Sequence, residues 1–190
     1  LNNLANVLLG VGRSGEALEV AQEAVDLRRV LAQASPAAYT PDLAGALNNL
    51  ANVLLGVGRS GEALEVAQEA VDLRRVLAQA SPAAYTPDLA GALNNLATIL
   101  SGVGRSGEAL EVAQEAVDLY RELAQASPAA YTPDLAGALN NLATILSGVG
   151  RSGEALEVAQ EAVDLYRELA QASPAAYTPD LAGALNNLAN

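Results

Sequence analysis

The tetrad Leu-Asn-Asn-Leu stands at Leu1, Leu47, Leu93, Leu139 and Leu185, always 46 residues apart. The chain is one 46-residue unit written four times, as Leu1–Ala46, Leu47–Ala92, Leu93–Ala138 and Leu139–Ala184, followed by the first six residues of a fifth copy, 185–190. The first two units are identical, and so are the third and fourth. The two pairs differ at five places per unit: Asn52/Thr98, Val53/Ile99, Leu55/Ser101, Arg74/Tyr120 and Val76/Glu122. So short a unit cannot enclose a core alone and must bury its apolar face against its neighbours, which predicts a single solenoid over 1–190.

Within a unit the apolar period is helical. Leu43, Leu47, Leu50 and Leu54 fall on one stripe, flanked by Ala46 and Val53, while Asn48, Asn49 and Asn52 lie on the other side. This helix A is expected to start at Thr40-Pro41, or Thr86-Pro87 one unit later, with threonine as cap, proline in the first helical position and Asp88 at the positive end of the dipole. Gly56 and Gly58 supply its stop. Helix B is expected to be capped by Ser60, to carry Glu62 in its first turn and to end near Ala80, before Ser81-Pro82. Its inner arc is read as Ala63, Val66, Ala67, Ala70, Leu73 and Leu77, and its outer arc as Glu62, Glu65, Gln68, Glu69, Asp72, Arg75 and Gln79. The inner alanines imply close helix approach. Ser81–Thr86 reads as a packed turn anchored by Tyr85.

Antiparallel helix pairs at this period make an all-α solenoid. Leu47, Leu50-Ala51, Leu54, Gly58, Glu62-Ala63 and Ala70 follow the spacing of the tetratricopeptide repeat. Pro87-Asp88-Leu89-Ala90 with Leu93-Asn94-Asn95-Leu96-Ala97 resembles its longer, kinesin-light-chain-like form, common in bacterial tandem arrays. The resemblance covers the whole chain. It departs at Leu47, Ser60 and Ala67, where the family usually has aromatics, and at Pro82, which comes late and lengthens helix B. The resemblance implies a right-handed superhelix whose A helices line a concave groove.

Composition narrows function by exclusion. Twenty-two acids face ten bases, all of them Arg, for a net charge of −12. Nucleic-acid binding needs the opposite sign of surface, and so does an anionic membrane. Uncharged runs such as Leu43–Gly58 are too short and polar to span a bilayer. The chain has neither His nor Cys, so the commonest general base, the thiolate nucleophile and most transition-metal ligands are missing. Glu62, Glu65, Glu69 and Asp72 read as a solvated helix face. Gly56–Gly61 (Gly-Val-Gly-Arg-Ser-Gly) lacks the preceding strand and the Lys-Ser/Thr ending of a phosphate loop, and reads as an interhelical turn. No catalytic residue, metal or cofactor is expected, so the chain reads as a non-catalytic scaffold.

The candidate partner surface is the polar side of helix A, which the resemblance turns toward the groove. It comprises Asn2 and Asn6; Asn48, Asn52 and Leu55; Asn94, Thr98 and Ser101; and Asn140, Thr144 and Ser147. An amide both donates and accepts, which suits an extended peptide, or it serves bonds between repeats. No Arg or Lys cluster stands there to grip a terminal carboxylate. Arg74/Tyr120 reads as packing, and Val30 and Val76 as exposed apolar spots among acids, leaving the first two units at −2 each and the last two at −4.

Two functions fit. Near-identical units create a periodic surface that matches itself, and no polar capping helix is expected at either end. Leu1, Leu4, Leu185 and Leu188 are then expected to stack head to tail into rods or filaments. The alternative is a peptide- or protein-binding module of a larger regulatory or signalling protein. Identical units are also what a consensus design would show. Because the chain opens without Met and in mid-helix, it reads as a window on a longer array.

Overall fold

The computed structural model describes the backbone of residues 2–189 and the side chains of residues 4–189. Among the described residues there are nine helices and no strand: α1 Asn2–Gly10, α2 Ser14–Ala34, α3 Pro36–Gly56, α4 Ser60–Ala80, α5 Pro82–Gly102, α6 Ser106–Ala126, α7 Pro128–Gly148, α8 Ser152–Ala172 and α9 Pro174–Leu188. Odd-numbered helices are the A helices and even-numbered ones the B helices. They form two compact units, Leu1–Val103 and Gly104–Asn190.

In the first unit each helix packs on the next in sequence, and the A helix α3 also touches the A helices α1 and α5. The B helices α2 and α4 bring no Cα atoms within 8 Å of each other. The second unit repeats this scheme, with α7 touching α9. An A helix therefore has walls on nearly every side. In α3 Leu43, Ala44, Ala46, Leu47, Leu50, Ala51, Val53 and Leu54 are all buried, as its apolar stripe predicts. Asn49, read as part of the polar side, is buried too, at 9% exposure.

Helix B is turned slightly from its expected orientation. Its buried stripe in α4 is Ala63, Ala67, Ala70, Val71 and Ala78, whereas Val66, Leu73 and Leu77 are half-buried at the edge. Arg74 lies on the same stripe with its side chain only 12% exposed, and Tyr120 and Tyr166 take that place in α6 and α8 at 7% and 8%. Small residues let the A helix press against this line, and the longer aliphatics are left to flank the contact. The packing role read for the Arg/Tyr position is the one found.

Two helix starts differ from expectation. The segment Ser81–Thr86 is no turn: Pro82 opens α5, which runs on through Pro87. Proline at the first position needs no N–H and already has a helical φ. Ser81 accepts from the Ala84 and Tyr85 N–H groups at 3.1 and 3.2 Å, closing the first turn. Pro87 then removes the bond that would reach the carbonyl of Ala83, an exposed residue. Thr86 is accordingly helical rather than a cap. Likewise Ser60 is the first residue of α4, with Arg59 in the capping position and no side-chain cap bond. Arg59 instead clasps Glu62 through two hydrogen bonds, which lowers the Glu62 carboxyl pKa below its ordinary value.

Helix A ends as its glycines predict. Gly58 has φ +77°; its N–H bonds Leu55 at 3.0 Å, and the Arg59 N–H bonds Leu54 at 2.8 Å. This pair is the Schellman arrangement, which requires a left-handed residue between helix and turn. The same bonds recur at Gly12–Arg13 and Gly150–Arg151.

A Cβ at Gly58 would meet no atom within 4 Å, so Gly58→Ala tests the backbone conformation alone. It is expected to cost about 1–2 kcal/mol in urea unfolding. Gly61→Ala, three residues on, inside a helix and equally open, is expected to be neutral or stabilising.

Candidate interaction surface

The A helices carry their polar residues on one side because the other sides are taken by the B helices and by the core leucines. Asn6, Asn52, Thr98, Thr144 and Ser147 are exposed, and Asn48, Leu55, Asn94, Ser101 and Asn140 are half-buried. The side chains of Leu1 and Asn2 lie outside the described residues. Leu4, read as facing the core, is 48% exposed, because α1 has a neighbouring A helix on one side only among the described residues.

The half-buried amides are used between repeats. Asn95 Nδ2 donates to Asn48 Oδ1 at 3.1 Å, and Asn187 Nδ2 donates to Asn140 Oδ1 at 3.0 Å. Both bonds join one A helix to the next, 47 residues away in sequence. Asn187 Nδ2 also lies 3.4 Å from Thr144 Oγ1. The threonine hydroxyls turn back on their own helices: Thr98 donates to the Asn94 carbonyl at 3.1 Å and Thr144 to the Asn140 carbonyl at 3.0 Å. Thr144 and Ser147 line a cavity of about 570 Å³ with Asn187 and Leu188.

A second set of contacts between repeats was not read from the sequence. Arg29 of α2 meets Glu69 of α4 at 2.5 Å, and Arg121 of α6 meets Glu161 of α8 at 2.7 Å. Glu69 reads from the sequence as part of a solvated face. The only signal was an Arg and a Glu 40 residues apart in every pair of units, and its meaning depends on how far apart successive B helices lie. These pairs are about two-fifths exposed, so each contributes little by itself.

The Arg/Tyr position meets an A-helix glycine. The Tyr166 hydroxyl would lie 3.4 Å from a Cβ on Gly137, and the Arg74 guanidinium bonds the Asp88 carbonyl oxygen. Burial, followed by the charges of Asp180 and Asp134, raises the Tyr166 phenol pKa above its ordinary value. Burial also raises that of the Asp134 carboxyl. Among the described residues no three His, Cys, Asp or Glu side chains cluster as metal ligands would. No described helix is long and apolar enough to cross a membrane.

The sequence matches the model of the tetratricopeptide repeat over residues 1–75, 42–122 and 88–168. No curated protein matches it. Among solved structures the chain is similar to a Podosopora anserina kinesin light chain protein with nearly identical TPR-like repeats. The TM-score is 0.70 at 18% identity, over 98% of this chain and 90% of that one. It is also similar to BtubC (BKLC) of P. vanneervenii, with TM-score 0.62 and 22% identity over 82% of this chain and 58% of that one. A third likeness is to a Rap protein complexed with Competence and Sporulation Factor, with TM-score 0.68 and 18% identity over 86% of this chain and 41% of that one. At such identities the likeness speaks for the fold.

The amide contact can be measured by a double-mutant cycle. Asn48→Ala and Asn95→Ala are expected to couple by about 0.5–1.5 kcal/mol in urea unfolding, the net value of one part-buried hydrogen bond. Additive effects would mean that the two amides act independently.

Proposed function

The chain belongs to the tetratricopeptide repeat family, and from that premise we propose that it is a non-catalytic protein-interaction scaffold whose partner is another copy of itself. The main support is that contacts between successive units are written in residues that recur. The bond from Asn95 to Asn48 returns as that from Asn187 to Asn140, and the Arg29–Glu69 pair returns as Arg121–Glu161. A contact encoded in the repeat is equally available between repeats of different molecules. Leu4 and Leu185 are 48% and 39% exposed, while Leu50 and Leu139, at the same places in inner units, are 2% and 0% exposed. In the 190-residue chain such apolar surface, met by a different face of the next molecule, propagates rather than closes.

In this reading the 190-residue chain forms rods visible by negative-stain electron microscopy, with a mass that rises with concentration in light scattering. Leu4→Glu combined with Leu185→Glu returns it to monomer with an unchanged helical circular dichroism spectrum. A monodisperse monomer of the unsubstituted chain at high concentration would sink the proposal.

A second reading, capture of a peptide or protein on the A-helix face, is favoured by the exposed Asn52, Thr98 and Thr144. The Rap protein, solved complexed with Competence and Sporulation Factor, shares this fold. Here alanine at Asn48, Asn52, Asn94 and Asn140 together abolishes capture of a bound partner while helicity persists. Retained capture removes the A-helix face from the account.

A further inference from the structure

The B helices leave a groove that neither reading uses. Between α2 and α4 lies a cavity of about 790 Å³, and between α6 and α8 an equivalent one of about 930 Å³. The floor of the first is Leu18, Leu27, Val30, Leu54 and Val66. Leu27 and Val30 are 51% and 65% exposed. Its rim carries five acids, Glu19, Glu23, Asp26, Glu62 and Glu65, and one base, Arg59. Glu62 is clasped by Arg59. Among the described residues Glu19, Glu23 and Glu65 make no ion pair. The groove follows α2 from Leu18 to Val30, about 18 Å at 1.5 Å per residue, or roughly three helical turns.

We propose that this groove docks a cationic amphipathic helix, its leucine-type face on the apolar floor and its Lys or Arg flanks against the acidic rim. Three observations select that occupant. The walls are α-helices whose backbone groups are already bonded internally, so an extended peptide would leave its own N–H and C=O groups without partners, whereas a helix arrives satisfied. The rim is acidic on both walls, which favours a cationic partner in both rate and specificity. A second copy of this chain, at −12, would set acid against acid. The groove in the second unit has Glu122 where the first has Val30. It accordingly prefers a basic side chain where the first accepts an apolar one.

The absence of cysteine allows a site-specific test. Val30→Cys lies in the groove and Asn52→Cys on the A-helix face; both parent residues are exposed. Each single-cysteine chain is mixed with a Leu-Lys-Lys-Leu repeat peptide of about twelve residues, long enough for three turns, bearing one activated disulfide. Mixed-disulfide rates are normalised to those of a small uncharged disulfide. The Val30→Cys chain is expected to trap the peptide about tenfold faster than the Asn52→Cys chain. That preference should disappear for a Leu-Glu-Glu-Leu peptide, for a peptide whose leucines are serines, and when Leu27→Gln is added to the groove. Equal rates at the two cysteines would overturn the proposal, and so would a preference that survives removal of the peptide's leucines. Trapping reads one face of one molecule, so it succeeds or fails whether or not the chain forms rods.

Discussion

A helix that is apolar on nearly every side exists in water only where neighbours wall it in, and α3 is such a helix. Its leucines and alanines from Leu43 to Leu54 are buried, it packs on α2 and α4, and it touches α1 and α5 as well. No single 46-residue unit holds enough helices to do this. Repetition is therefore the physical condition under which helix A is stable, and unit-to-unit contact carries the core. The alanine line of helix B serves the same end, because small side chains let the A helix come close enough to be covered.

Close approach of the A helices has an opposite consequence on the other side. The α3 backbone comes close to those of α1 and α5, while the Cα atoms of α2 and α4 stay more than 8 Å apart, so polar contacts differ on the two sides. On the A side short Asn side chains reach each other directly. On the B side the distance takes the combined length of Arg29 and Glu69. The gap that those side chains span leaves the acid-rimmed groove open. End-to-end stacking and docking in the B-side groove are thus compatible, since the groove lining includes none of Leu4, Leu185, Arg29 and Glu69.

Helix ends are set by local backbone chemistry, and there the sequence was only partly legible. Gly58 was readable as the stop of helix A because a left-handed residue there has one inexpensive choice. Pro87 was misleading. It resembles a first-turn proline, yet Pro82, five residues earlier, fits that position as well, and the helix starts at the earlier of the two. Ser60 misled in the same way: Arg59 precedes the helix and pairs with Glu62, and no side chain caps the first turn.

The all-helical class, the 46-residue pairing of helices A and B, the leucine stripe of helix A and the burial of the Arg74/Tyr120 position are all legible in the chain's own periodicity. Each of these follows from local periodicity, which the chain carries wherever it lies in space. The packing of helices in space sets which face of helix B is covered, buries Asn49, and brings Asn48 and Asn140 to the next repeat. It also decided that Glu69 and Glu161 have partners 40 residues away, and that a groove separates successive B helices. The reason is that these depend on the distance and rotation between helices. Many weak side-chain contacts set those quantities jointly, and no single residue encodes them.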